Sequence, residues 1–372
     1  MRERRRRQQM FALGCAALLA LAGCAHFDDA QSEPFTEVPR LEPPPPTTPK
    51  PPPPLPAEPF PKECPAPGVM QGCLDSTSGL IMGPTGKTAL VAERTTGLIK
   101  NIAVDAEPTV KTSLDVDPTG DGGLMDIVLS PTYEQDRLMY AYITTPTDNR
   151  VIRIADGDVP KDILTGIPKG PTGNSGALVF TSPTTLIVLT GDAGDPAAAA
   201  DPASLAGKVL RIEQPTTVGQ APPTTALSGM GAGGGLCLDP ADQSLYITDR
   251  TPTGDRLQRI TKESESSVVW TWPDKPGIAG CAALDGMVLV NLVDTKQTVV
   301  VQVSDSGSVT ADPDVVRQDD HGHAWALRLS PDGNIWGATV NRTAGDAGKL
   351  DDVVFPLFKS GGGFPRPNEE KS

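Results

Sequence analysis

Short runs of apolar and β-branched residues alternate with Gly, Pro and Asp through most of the chain, from about residue 64 onwards. Such runs are typical of β-strands, and almost no stretch shows the 3.6-residue period of a helix. One pattern recurs, namely an apolar strand, a Pro or Asp-Gly turn, a second apolar strand, a polar loop and a third strand. Its copies begin at Gly79, Gly122, Ser175, Gly234, Gly280 and His323.

Self-similarity at a spacing of roughly 40 to 60 residues is characteristic of β-propellers. The six copies predict an all-β fold, a six-bladed β-propeller over residues 64–358. One blade cannot bury both of its faces, so stacking the blades in a ring would supply the core. Residues 359–372 are predicted to be a disordered tail.

The N-terminus has the layout of a bacterial export signal. Five arginines among the first seven residues precede an apolar run from Met10 to Ala22. The run is roughly 13 residues long, whereas a membrane crossing needs about 20. Leu21-Ala22-Gly23-Cys24 resembles the bacterial lipobox, so residues 1–23 are predicted to be a lipoprotein signal peptide and Cys24 the lipidated residue. An ordinary secretory signal is the alternative, and the export route, general or twin-arginine, stays open.

A proline-rich segment separates the signal from the repeats. Residues 41–61 read LEPPPPTTPKPPPPLPAEPFP, and such density favours polyproline II without a core of its own. Residues 24–63 are therefore predicted to be a disordered tether. At about 3.1 Å per residue, some 20 residues would extend on the order of 60 Å. A docking site for a proline-recognising partner is the alternative.

The charge balance excludes one class of partner. The chain carries a net charge of −14, which becomes −18 once the five Arg and one Glu of residues 1–23 are removed. An acidic surface argues against nucleic acid and against electrostatic adhesion to anionic lipid. The predicted membrane attachment is therefore through N-terminal acyl chains, on the extracytoplasmic face.

The cysteines indicate disulfides. With Cys24 lipidated, Cys64, Cys73, Cys237 and Cys281 remain in an oxidising compartment. Four cysteines allow three pairings, and sequence does not choose among them. The simplest pairing joins Cys64 to Cys73 and Cys237 to Cys281, since the last two occupy the first strands of successive repeats.

Several motifs resemble a known enzyme family. They are ALVAERTTGLIKNI, GDAGDPAAAADPASLAGKVLRI (Gly191–Ile212), GDRLQRI (Gly254–Ile260) and WTWP (Trp270–Pro273). Together they resemble the soluble quinoprotein glucose dehydrogenase and sorbosone dehydrogenase family over roughly Gly79 to Phe355. The resemblance implies a six-bladed propeller that oxidises sugars with pyrroloquinoline quinone (PQQ) and calcium.

The family's catalytic positions are mostly altered in this chain. Its histidine base aligns with Gly173, and Asp192 matches the carboxylate that orients that base. A general base must lie within hydrogen-bond reach of the proton it takes, and the only histidines are His26, His321 and His323.

The positions that would seat the cofactor also differ. The segment that grips the quinone aligns with Gly231–Gly235, and the arginines of the sixth blade align with His323 and Trp325. The calcium-holding His-Gly-Pro is Arg250-Thr251-Pro252 here. A carboxylate bound without a cation is costly, so no cofactor is expected; PQQ and Ca²⁺ belong only to the enzymatic alternative.

Two acidic segments have the spacing of metal sites. Asp115, Asp117, Asp121 and Asp126 have the oxygen spacing of a calcium loop, with a solvated acidic loop as the alternative. The segment Asp319-Asp320-His321-Gly322-His323 could hold a transition metal, with a polar surface loop as the alternative. The residues predicted to line the central funnel are Asn174, Asp192, Arg250, His321, His323 and Trp325.

Three functions follow from these observations. The first is a noncatalytic, membrane-tethered propeller that binds an envelope ligand or protein partner. The second is an active PQQ-dependent sugar or polyol dehydrogenase with acid-base groups such as His321 or His323. The third is a scaffold for assembly of the cell envelope.

Overall fold

The computed structural model describes Cys64 and residues 68–357, which form a six-bladed β-propeller. The predicted signal peptide, Cys24, the tether and the C-terminal tail lie outside these residues. No helix in the part of the chain that the structure describes is long and apolar enough to cross a membrane.

Each blade is an antiparallel sheet whose strands follow chain order from the ring axis outwards. Blade 1 contains β1 (Thr77–Met82), β2 (Thr88–Glu93), β3 (Leu98–Ala103) and β4 (Thr109–Ser113). Blade 2 contains β5 (Leu124–Leu129), β6 (Leu138–Thr144), β7 (Asn149–Ala155) and β8 (Lys161–Ile167). Blade 3 contains β9 (Gly176–Ser182), β10 (Thr185–Thr190), β11 (Lys208–Glu213) and β12 (Thr224–Ser228). Blade 4 contains β13 (Leu236–Leu238), β14 (Leu245–Thr251), β15 (Gly254–Ile260) and β16 (Ser266–Trp272). Blade 5 contains β17 (Ile278–Leu284), β18 (Met287–Leu292), β19 (Gln297–Gln302) and β20 (Asp314–Gln318). Blade 6 contains β21 (Ala324–Leu329), β22 (Ile335–Thr339) and β23 (Val354–Pro356). The single-turn helices are α1 (Tyr133–Asp136), α2 (Pro196–Ala200) and α3 (Asn341–Ala344).

The first strand of every blade contacts the first strands of both neighbouring blades, and β21 contacts β1. The ring is therefore closed. The six predicted repeats correspond to the six blades, and the all-β propeller prediction is confirmed.

The core lies between the blades, where six apolar clusters each join the facing sides of two neighbouring sheets. In the second strand of blade 3, every residue from Thr185 to Thr190 is buried, because both faces of that sheet are covered. Full burial of one Val, Leu or Ile side chain stabilises the fold by about 1.5–3 kcal/mol. Aliphatic side chains thus build a core despite an aromatic content of only 4%.

Blade 6 has three strands, and the N-terminal segment lies at its outer edge. Met70 N–H donates to Val354 O at 2.7 Å, and Val354 N–H donates to Gln71 O at 2.9 Å. Cys64 and Cys73 form a disulfide beside this contact, with Cα atoms 5.6 Å apart. The beginning of the propeller domain thereby completes its last blade.

A second disulfide joins the inner strands of blades 4 and 5. Cys237 in β13 and Cys281 in β17 have Cα atoms 5.6 Å apart, within the range that a disulfide requires. The two strands approach closely because a Cβ added at Gly235 would lie only 3.0 Å from Gly280 Cα. Both disulfides of the simplest pairing are present in the structure.

Candidate functional site

A pocket of about 390 Å³ lies where all six blades meet, at the end of the ring that carries the loops leading into the inner strands. Every blade contributes to its wall, which places it on the ring axis. The lining residues whose side chains carry charge or can form hydrogen bonds are Arg94, Asp121, Ser175, Arg250, Asp294, His323, Trp325 and Thr343. We call this pocket the funnel.

Arg250 is held in place by an aromatic ring. Its guanidinium carbon lies 5.0 Å from the centroid of the Trp325 ring, in the range of a cation–π interaction. Its Nε is buried and has no hydrogen-bond partner among the residues that the structure describes. Among the described residues, no carboxylate lies within ion-pair distance of Arg250. Burial lowers the pKa of this guanidinium, and Asp255 and Asp121 only partly oppose that effect.

Arg94 follows β2 and supplies the second cation of the funnel. Its Nη1 donates to Gly122 O at 3.1 Å, so the contact is with a neutral carbonyl. Burial lowers the pKa of Arg94 as well, opposed by the more distant charges of Asp121 and Asp75. Ring closure therefore brings this residue of blade 1 into the same pocket as Arg250 of blade 4.

Ser175 and Asp121 differ in whether their side-chain oxygens have hydrogen-bond partners. Ser175 is 2% exposed, and its Oγ has no hydrogen-bond partner in the described chain. Asp121, in contrast, accepts hydrogen bonds from Gly173 N–H at 2.7 Å and from the backbone and side-chain nitrogens of Asn174 at 3.1 and 2.8 Å. The charge of Asp121 is thus already compensated by hydrogen bonds, whereas Ser175 Oγ has no partner within the described residues.

Three of the six predicted funnel residues, Arg250, His323 and Trp325, line the pocket. Asn174 is instead fully buried, because its side-chain amide bonds to Asp121 Oδ1 and Gly170 O. His321 is directed elsewhere, with its ring centroid 4.3 Å from that of Phe355.

Asp192 also lies outside the funnel lining. It is 4% exposed, and its Oδ1 accepts from Gly194 N–H at 2.9 Å. Burial raises the pKa of its carboxyl. The side chain therefore stabilises the turn at residues 192–195 and orients no base.

Gly173, which the sequence resemblance aligns with the family's base, has no room for a side chain. Its φ is +74°, and an added Cβ would lie 2.4 Å from Asp192 Oδ1 and 2.7 Å from Gly194 N. Both the backbone conformation and the packing therefore exclude a histidine there. A larger side chain at position 173 would require the turn at residues 192–194 to shift.

The resemblance aligns Arg250-Thr251-Pro252 with the family's calcium-holding segment, and the Arg250 carbonyl there already has a hydrogen-bond donor. The carbonyl oxygen of Arg250 accepts a hydrogen bond from Ala232 N–H at 2.8 Å, so it is directed into the protein. The guanidinium of the same residue adds positive charge at the funnel. The carbonyl and guanidinium of Arg250 therefore do not fit a calcium ion, and Gly173 supplies no base, so no catalytic step is assigned to these groups.

The four aspartates with calcium-loop spacing have separate partners. Asp117 pairs with Lys169, Asp121 binds the Gly173–Asn174 backbone, and Asp126 in β5 pairs with Arg328 at 2.8 Å. Asp115 is exposed. The predicted ligands are thus used individually for structure.

The segment from Asp319 to His323 is also dispersed. His323 Nδ1 lies 2.8 Å from Val293 O, and its Nε2 lies 3.6 Å from Asp346, while His321 packs on Phe355. Within Cys64 and residues 68–357, no group of three His, Cys, Asp or Glu is arranged to hold a metal ion.

Sequence reasoning did not identify Arg94, Ser175 or Asp294 as funnel residues. Arg94 directly follows the strand β2, in which Glu93 comes after four apolar residues. That polar position at a strand end was the available signal. Whether such a residue lines the funnel depends on which residues of the other blades face it, and this arrangement is set by closure of the ring.

Comparisons with known proteins agree with the fold. The PQQ-bound aldose sugar dehydrogenase from Streptomyces coelicolor is 26% identical, with a TM-score of 0.70 over 77% of this chain and 95% of that one. A putative oxidoreductase (glucose dehydrogenase) from Thermus thermophilus is 23% identical, with a TM-score of 0.67 over 77% and 97%. The apo-form of the soluble aldose sugar dehydrogenase from Escherichia coli is 19% identical, with a TM-score of 0.64 over 77% and 98%.

The last two likenesses show the fold alone. No curated protein matches the chain. The sequence profile described as Glucose / Sorbosone dehydrogenase matches residues 74–267, slightly more than half of the chain. This chain therefore belongs to the glucose/sorbosone dehydrogenase family.

Proposed function

We propose that this chain is a membrane-anchored extracytoplasmic lipoprotein whose propeller binds an envelope ligand or protein partner at the funnel without catalysing sugar oxidation. The observation that carries the proposal is the packing at Gly173, where an added Cβ would lie 2.4 Å from Asp192 Oδ1. A family member without space for its base keeps a ligand-sized funnel but loses proton abstraction.

Membrane attachment rests on the sequence of residues 1–24. The arginine-rich start, the short apolar run and Leu21-Ala22-Gly23-Cys24 support lipidation of Cys24. The acyl chains would hold the protein at the extracytoplasmic face of the cell membrane, and the proline-rich tether would hold the propeller away from it.

The principal alternative is a PQQ-dependent sugar or polyol dehydrogenase. One observation favours it: Arg94 and Arg250 offer positive charge to the carboxylates of a quinone. His323 is then the available base at the funnel. A third possibility is a scaffold for envelope assembly, in which the partner of the funnel is a protein.

Reconstitution tests the choice between binder and enzyme. The full chain, solubilised in detergent, is incubated with PQQ and calcium and assayed on aldoses and polyols with a dye as electron acceptor. We expect no turnover above that of a His323→Gln variant. Turnover that is lost in the variant would overturn the proposal in favour of the dehydrogenase.

A second experiment separates a small ligand from a protein partner. A photo-crosslinking amino acid replaces Thr343, which is exposed at the funnel, and, as a control, Val110, which is 57% exposed on outer strand β4. Irradiation of intact cells should give a crosslinked product at position 343 and not at 110. A mass increase of protein size would support the scaffold, and a small increase would support a ligand binder.

A further inference from the structure

The outer strand of blade 4, β16 (Ser266–Trp272), carries no charged residue. Its sequence is SSVVWTW, without Pro or Gly. Val268 is 54% exposed, and Trp270 is half-buried. Uncharged segments of about seven residues that are rich in β-branched and aromatic side chains pair readily with other chains when they lie at a sheet edge. The edge of β16 is therefore suited to pairing with a further strand.

The outer strands of the other blades differ from β16. Charged side chains on an edge strand discourage pairing with another chain, and β4, β8 and β20 each contain at least one Lys, Arg or Asp. Strand β12 is uncharged, but none of its large apolar side chains is exposed. At the outer edge of blade 6, Gln71 forms a β-bridge with Val354. Among the described residues, β16 is thus the outer strand that combines an exposed valine with a complete lack of charge.

β16 is held firmly by its own blade, while its outer edge has no partner strand. Within the described residues it pairs only with β15. Val269 and Trp270 pack against the apolar cluster between blades 4 and 5, and the rings of Trp270 and Trp272 meet edge to face at 6.3 Å. The register of β15 and β16 shifts at a bulge, but the outer strand pairs of blades 1, 2, 3 and 5 have such shifts too. The strand is thus preorganised, and pairing would cost little conformational entropy.

The charges on either side of β16 make this strand complementary to itself. Glu263 lies three positions before the strand, and Lys275 lies three positions after it. Both are exposed, and among the described residues neither forms an ion pair. When two copies of β16 pair antiparallel about Val269, Glu263 of one copy lies opposite Lys275 of the other. Twofold symmetry makes this contact twice, and opposite charges across two strands stabilise their pairing.

We propose that two copies of this chain form a symmetric dimer in which their β16 strands pair antiparallel. The two fourth blades then form one continuous sheet, with Val268 of each copy next to the symmetry axis. A second copy fits this edge better than an unrelated protein, because one strand supplies both the acidic and the basic residue of each contact. β16 is the outermost strand of its blade, whereas the funnel lies on the ring axis. The dimer therefore goes beyond the proposed function and does not use the funnel lining.

Replacement of the exposed valine tests this edge. The detergent-solubilised full chain is studied by sedimentation equilibrium over a series of protein concentrations, with micelles in excess. We expect the parent to dimerise, and Val268→Lys, which places a charge on the edge, to raise the dimer dissociation constant at least about tenfold. Val110→Lys and Val315→Lys are matched controls, since these valines are 57% and 51% exposed on outer strands β4 and β20, and they should dimerise like the parent. All variants keep the same N-terminus, so sharing of a micelle affects them equally.

Exchange of the two charges tests the antiparallel arrangement. Lys275→Glu places two acidic residues opposite one another, so it should raise the dissociation constant several-fold, and Glu263→Lys should do the same with two basic residues. The double variant Glu263→Lys/Lys275→Glu restores opposite charges across the symmetry axis, so it should dimerise like the parent. Its net charge equals that of the parent, and both positions are exposed and lie outside the strands.

A parent that is monomeric at every concentration would overturn the inference, as would a Val268→Lys variant that dimerises as tightly as the two valine controls. Failure of the double charge exchange to recover dimerisation would refute the antiparallel pairing of β16. If thermal unfolding shows that Val268→Lys does not fold, the charge exchange remains decisive, because it leaves the strand itself unchanged. Crosslinking at position 343 of the funnel is independent of all these outcomes, so the proposed function is judged separately.

Discussion

Arg328 on the first strand of blade 6 donates a 2.8 Å hydrogen bond to Asp126 on the first strand of blade 2. The two residues are 202 positions apart in sequence, and blade 1 lies between their blades in the ring. Asp126 also accepts from Leu178 N–H of blade 3 at 2.9 Å. One buried carboxylate thereby links three blades.

Removing the cation from this pair should destabilise the propeller. Asp126 is 3% exposed and Arg328 is 23% exposed, so Arg328→Met leaves an uncompensated charge in the interior. We expect a loss of about 3 kcal/mol in the free energy of unfolding, measured by denaturant titration. The double variant Asp126→Asn/Arg328→Met should lose less than the sum of the single variants. Additive losses would show that the pair does not couple the blades.

Loss of the Cys237–Cys281 disulfide should destabilise the fold by a similar amount. The bond spans 44 positions. Closing a loop of that length lowers the entropy of the unfolded chain and thereby raises its free energy by about 4 kcal/mol at 25 °C. Cys237→Ser should therefore lower the midpoint of thermal unfolding markedly. Mass spectrometry of nonreduced peptides from the exported protein should recover the linked pair, and an alkylated, unlinked Cys237 peptide would contradict it.

Restoring a histidine at the family's base position should fail. Gly173→His combines a φ of +74° with an added Cβ only 2.4 Å from Asp192 Oδ1. Gly166 is a matched control, since its φ is +75° and nothing lies within 4 Å of an added Cβ. We expect Gly166→His to cost about 1 kcal/mol from backbone conformation alone and Gly173→His at least about 2 kcal/mol more. Similar thermal stability of the two variants would show that the loop accommodates the side chain.

The Lys169–Asp117 pair should stabilise the fold near neutral pH and lose this contribution at strongly acidic pH. Hydrogen bonds from Lys169 and Thr119 lower the pKa of Asp117 to about 2. A carboxyl with a lowered pKa in the folded state stabilises the fold above its ordinary pKa, and that contribution is lost as the pH falls towards 2. The stability difference between the parent and Asp117→Asn should therefore be larger at about pH 6 than at about pH 2.5. Lys169→Met should show the same trend, and a difference independent of pH would contradict this origin.

The proposed lipid anchor gives a test that is independent of the propeller. Cys24→Ala removes the thiol that acylation needs, so the cells should accumulate unprocessed precursor or non-acylated protein. Metabolic labelling with a fatty acid should be lost in Cys24→Ala and retained in Cys15→Ala, which alters a cysteine inside the predicted signal peptide. Label that persists in Cys24→Ala would show that the lipobox assignment is wrong.

Features encoded locally were the ones that could be predicted from the sequence. Blade number follows from the recurring strand-and-turn pattern, and the partners Cys237 and Cys281 follow from equivalent positions in successive repeats. The contact of Gln71 with Val354 could not be anticipated, because it joins distant parts of the chain and neither residue has a distinctive neighbourhood in sequence.

The same distinction explains the result for the funnel. The glycine at position 173 could be identified from a motif, since the alignment is local. That Arg94 from blade 1 and Arg250 from blade 4 line one pocket depends on closure of the ring. Within the described part of the chain neither arginine forms an ion pair, and this too depends on three-dimensional neighbours that spacing along the chain does not reveal.

If the domain is held by its N-terminus as proposed, the Cys64–Cys73 disulfide has a mechanical consequence. Tension applied at Cys64 passes through the sulfur atoms directly to Cys73, whose N–H bonds to Leu350 O at 2.8 Å. The contacts of Met70 and Gln71 with Val354, which complete blade 6, lie inside the disulfide loop and bear none of this load. If the disulfide were reduced, the force would act on the hydrogen bonds of Met70 and Gln71 with Val354 and could separate this segment from blade 6. The intact disulfide prevents that separation and keeps the ring closed.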